Sequence, residues 1–92
     1  MRTPSEKLTI MHTALNDINN EVTRAVKLHG PLSNLHEAHS VILEEFDEFW
    51  DQVKVNPKKL DLDGQIKRSA NMKEELVQIA AMCVRTLMDV EI

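Results

Sequence analysis

The chain has 92 residues, 42% hydrophobic and 28% charged, with two glycines and three prolines. That describes one ordered globular domain (residues 1–92) with a thin core of its own. A net charge of −4 argues against a nucleic-acid polymer as partner, and the lone Cys83 excludes an internal disulfide and fits a cytoplasmic location. No apolar run approaches the roughly 20 residues of a membrane span. The polar start Met1-Arg2-Thr3-Pro4-Ser5-Glu6 has no secretory hydrophobic region.

Helix formers dominate, and alternating strand patterns are short. Leu8, Met11, Leu15, Ile18, Val22 and Val26 recur at intervals of three and four, predicting a first helix from about Pro4 to Leu28. Thr3 or Ser5 can cap it, and His29-Gly30-Pro31 stops it. Its charges, including a Glu21–Arg24 pair, read as a solvated face. Ser33 or Asn34 can cap a second helix, with Glu37 three residues beyond Asn34. Its stripe is Leu35, Ala38, Ile42, Phe46, Phe49 and Val53. Val55 to Lys67 reads as a loop, with a short helical turn near Leu60–Leu62. A last helix is predicted from around Gln65–Ser69 to about Asp89, with the stripe Met72, Leu76, Ile79, Ala80, Cys83, Leu87 and Val90. On that wheel Cys83 is a small core residue, while Glu74 and Arg85 point to solvent. The methionines read as core or interface filler. The fold predicted is all-α, a short bundle of three main helices whose core is completed by homo-oligomerisation.

The stretch Glu44-Glu45-Phe46-Asp47-Glu48-Phe49-Trp50-Asp51 sets five acids among three aromatics. With Ile42 at zero on the wheel, Glu45 falls at about −60° and Glu48 at about −120°, on one flank of the stripe. Glu44, Asp47 and Asp51 lie on the far side. On the last helix, with Leu76 at zero, Glu75 falls at about −100° and Gln78 at about −160°. A carboxylate at the edge of a core takes a proton or a positive partner. That partner is either a Lys or Arg of another helix or a cation shared with a second acid. If the two seams face each other, Glu45, Glu48, Glu75 and Gln78 make an oxygen-only site that suits Mg²⁺ (or Mn²⁺) rather than Zn²⁺. Carboxylate-held Mg²⁺ commonly works on phosphates. No nucleophile triad, phosphate-binding glycine loop or CxxC pair competes.

These residues also carry a resemblance. Glu44-Glu45-x-x-Glu48 followed by Glu75-x-x-Gln78 resembles the EExxE…ExxD signature of the MazG-like, all-α nucleoside triphosphate pyrophosphohydrolases. So do His29-Gly30-Pro31-Leu32-Ser33-Asn34-Leu35-His36-Glu37-Ala38, the run Val41 to Trp50, and Lys73 to Met82. The resemblance covers about Glu21 to Leu87. It implies cleavage of a (deoxy)nucleoside triphosphate between the α- and β-phosphates, in a homo-dimer or homo-tetramer. It also implies Mg²⁺ on Glu45, Glu48 and Glu75, with Glu44 orienting or activating water. Gln78 departs from the pattern, standing where the motif has Asp: it keeps a carbonyl oxygen and brings no charge.

Further substrate-binding candidates are His36 (His39 less so), and Trp50 as a base-stacking or interface residue. Lys54, Arg68, Lys73 and Arg85 are the cations nearest the acids, Arg68 first because it shares the Glu75 flank. The competing reading is a non-catalytic helical interaction or nucleotide-binding module with a degenerate metal site.

Overall fold

A computed structural model describes residues 1–92. It is all-helical, with helices α1 (Pro4–His29), α2 (Leu35–Lys54) and α3 (Leu62–Asp89) and a single 3₁₀ turn, Pro57–Lys59, between the last two. The helix limits follow from local chemistry. Thr3 accepts from the Glu6 N–H while Glu6 reaches back to the Thr3 N–H, a complete capping box ahead of Pro4. Gly30, at φ 67°, ends α1 in a conformation that a side chain would resist. Asn34 caps α2 by accepting from the Glu37 N–H at 2.9 Å. The Glu37 carboxylate turns instead to Ser33.

The last helix begins earlier than the hydrophobic period predicts, at Leu62. Asp61 is the reason: its carboxylate accepts from the Gly64 N–H at 2.7 Å, which is N-cap geometry. The predicted short helical turn lies at Pro57–Lys59, just before Leu60. Gln65 ties the connection down by donating to the carbonyls of Pro57 and Leu60, each at 3.1 Å.

α3 is the central element. It packs against both α1 and α2, which make little contact with each other. Contacts between the α2 region and α3 run from Gln52 with Arg68, through Glu45 with Glu75, to Leu32 with Asp89. Numbers rise on one side as they fall on the other, so α2 and α3 are antiparallel. Leu32, Ala38 and Met82 form the nucleus of the α2–α3 core, with Val41, Ile42 and Val90 against it.

This central position corrects the reading of α3. Its covered face is centred near Glu75, Ile79 and Met82, turned by roughly 100° from the predicted stripe. Leu76 and Leu87 are exposed, and so is Cys83, which is therefore no core residue. Arg85, predicted to point to solvent, is the one buried charged residue, 4% exposed. A helix gripped from two sides buries a wider arc than its apolar stripe, and polar residues fall inside it. On α2, Phe46 and Leu35 of the predicted stripe are likewise about half exposed. Of the methionines, Met82 is buried and Met72 half-buried, while Met1, Met11 and Met88 are exposed.

Candidate metal centre

Antiparallel pairing brings the flank acids of α2 and α3 together. One carboxylate oxygen each from Glu45, Glu48 and Glu75 lies within 4.8 Å of the other two. Glu45 and Glu75 are half-buried and Glu48 is exposed. Ala38, Ile42 and Met82 hold the two helices together beside these acids. Two oxygens, Glu45 Oε2 and Glu75 Oε2, are shut off from solvent without a hydrogen-bond partner. Such atoms each cost about 1–3 kcal/mol unless something fills the need.

The local charge is correspondingly strained. Burial, and then the Glu45 carboxylate close beside it, pushes the Glu75 carboxyl up to about 7. The Glu75 charge, helped by desolvation, raises Glu48 above its ordinary range. No lysine or arginine forms a salt bridge with any of the three. The partner foreseen as either a basic side chain or a cation is thus not supplied by a basic side chain of this chain.

The donor set fits a hard divalent ion. All three groups offer oxygen, and opposite ligands of Mg²⁺ stand about 4.2 Å apart, so side-chain shifts of well under an ångström would close the cluster. Gln78 lies one turn along α3, half-buried. Its amide nitrogen donates weakly to Glu74 at 3.4 Å.

The remaining candidates scatter. Glu44, His36, His39, Trp50 and Lys73 are exposed. Lys54 pairs with Asp51 at 3.1 Å. The Arg68 Nε–H donates to the Gln52 carbonyl at 2.8 Å, tying the end of α2 to the start of α3; its terminal nitrogens have no partner in the chain.

Beside the acids lies a cavity of about 310 Å³, bounded by α1, the α1–α2 turn, α2 and α3. Glu45 and Gln78 line it from α2 and α3, and Glu21, Arg24, His29, Glu37 and Arg85 are its other titratable or charged residues. Glu21 is held below the usual carboxylate range, chiefly by the hydrogen bonds of Arg24. The pair expected as a solvated face therefore borders a cavity. Arg85 was the harder residue to place from sequence; the available signal is its position seven residues beyond Gln78, on the same helical face.

Comparison with protein-family models, curated proteins and solved structures gives no match.

Proposed function

We propose that the protein is a Mg²⁺-dependent nucleotide pyrophosphohydrolase of the MazG-like kind, cleaving a (deoxy)nucleoside triphosphate to monophosphate and pyrophosphate. The observation that carries this reading is the clustering of Glu45, Glu48 and Glu75, two of them with buried oxygens that lack any partner. Glu45, Glu48 and Glu75 would hold the ion, with the Gln78 carbonyl in reach of a ligand beside it. Mg²⁺ bound there would offset phosphate charge and lower the pKa of water.

The chain's own residues have distinct tasks. Glu45 and Glu75, half-buried beside the core, would fix where the ion sits and so position the α-phosphate. Exposed Glu48 would adjust to close the cluster, and exposed Glu44 would orient water. Water attacks the α-phosphorus and the bond to the bridging oxygen of the β-phosphate breaks. Pyrophosphate leaves, and the water proton passes to solvent or to a carboxylate. Exposed Lys73 and the free terminal nitrogens of Arg68 are the candidates for the departing phosphates, with exposed Lys54, His36 and Trp50 as further substrate contacts.

Self-association belongs to the same proposal. A compact 10.5 kDa monomer should expose about 5,400 Å², whereas this chain exposes 7056 Å². The excess, about 1,600 Å² per chain, matches the area that obligate dimers bury. Exposed Phe46, Trp50, Leu76 and Leu87 supply apolar surface for it.

The test is a panel of ribo- and deoxyribonucleoside triphosphates, followed by pyrophosphate release with Mg²⁺ and with chelator. Turnover of at least one, abolished by chelator and by E75Q, is expected. A folded protein that turns over none of them, and gains no thermal stability from Mg²⁺, would instead be the helical interaction module.

A further inference from the structure

Arg85 presents an unresolved charge. Its guanidinium is buried, yet no carboxylate lies within salt-bridge distance. One terminal nitrogen donates to the Gly30 carbonyl at 2.7 Å, and the other reaches only the Met82 sulfur at 3.5 Å. The Nε–H, shut off from solvent, has no partner at all. A buried cation in this state is costly unless a ligand completes its hydrogen bonds. Arg85 borders the 310 Å³ cavity, whose volume sits at the lower end of small-molecule sites.

The charges of that cavity select the ligand. Glu21, Glu37 and Glu45 face Arg24, Arg85 and the titratable His29, and Arg24 is already engaged by Glu21. A polyphosphate chain finds no excess of positive charge in such a space. A neutral ring needs none, and Leu32, Val41 and Met82 offer it apolar walls. The polar groups then ask for a lactam: a carbonyl oxygen to accept from Arg85 and, directly beside it, a ring N–H to donate to a carboxylate of Glu21 or Glu37, a pair that cytosine lacks because its N3 is an acceptor. The cavity shares Glu45 with the acid cluster, so a nucleotide with its α-phosphate at the cluster can extend its base into it.

We infer that this cavity receives the base of the nucleotide, and that Arg85 is a specificity-determining residue favouring bases with a lactam edge (guanine, uracil, thymine) over adenine and cytosine. This rests on the nucleotide reading above. A site whose buried donors must be satisfied rejects ligands lacking the matching acceptor, so discrimination of at least about tenfold is expected.

Binding of GMP, UMP, AMP, CMP and inorganic pyrophosphate in Mg²⁺, measured by calorimetry, tests it without turnover. Wild-type protein should bind GMP or UMP at least about tenfold tighter than AMP and CMP. R85M should bring the four within about threefold while pyrophosphate affinity holds. R85K, which keeps the charge but lacks the fork, should lose the same preference and guards against misfolding of the methionine variant. Equal binding of the four by wild type, a preference that survives both variants, or a loss of pyrophosphate affinity in R85K overturns the assignment. If wild type binds neither monophosphates nor pyrophosphate, the nucleotide reading itself fails. If it binds them without base preference, only the role of Arg85 does.

Discussion

Glu75 concentrates the chemistry of the site in one side chain. Its carboxyl stands at about 7 against an ordinary 4.5, so between those values the folded chain holds a proton that the unfolded chain has released. Stability from this group is complete below about pH 4.5 and is lost as pH rises through 7. The raised Glu48 acts in the same direction. Metal-free protein should therefore melt at progressively lower temperature from about pH 4.5 to above 7, as followed by circular dichroism. Saturating Mg²⁺ should reverse that slope, because the ion competes with the proton for the same oxygens. E75Q should flatten the metal-free curve across that window. Its Mn²⁺ affinity should fall by at least the 10–100-fold that changes around a metal ligand cause, measured by titration.

At the scale of the elements, caps and ties set the register on which the acid cluster depends. Asp61 fixes the first turn of α3, and Arg68, in the next turn, joins it to the last turn of α2 through the Gln52 carbonyl. D61A should cost about 1 kcal/mol, the usual price of an N-cap, and lower Tm by about 4–8 °C. R68A removes a charge-assisted hydrogen bond and should cost about 1.5–3 kcal/mol in denaturant unfolding. Helix ends were legible because their signals are local: Thr3 with Glu6, Gly30, and Asn34 all act within a few residues of themselves. The start of α3 is hidden from the hydrophobic period, which fades there, although Asp61 carries the cap signal.

The whole molecule is extended for its length. Its radius of gyration is 15.3 Å, against about 12 Å for a compact chain of this size. Only eight residues are buried. Surface of this kind is expected to be covered by a second copy, and L76E/L87E should shift the protein to monomer in sedimentation velocity while each chain keeps its helicity. No helix is long and apolar enough to cross a membrane.

Sequence alone determined the helices and the acids' flank positions, since both follow from a 3.6-residue period and short-range hydrogen bonds. Glu45, Glu48 and Glu75 could be nominated because each sits just off an apolar stripe. Which oxygens meet was decided only by α2 lying antiparallel along α3. The fates of Cys83 and Arg85 were decided there too. α3 carries neighbours on two sides, and the arc they cover is set by the whole packing rather than by the helix's own most apolar line.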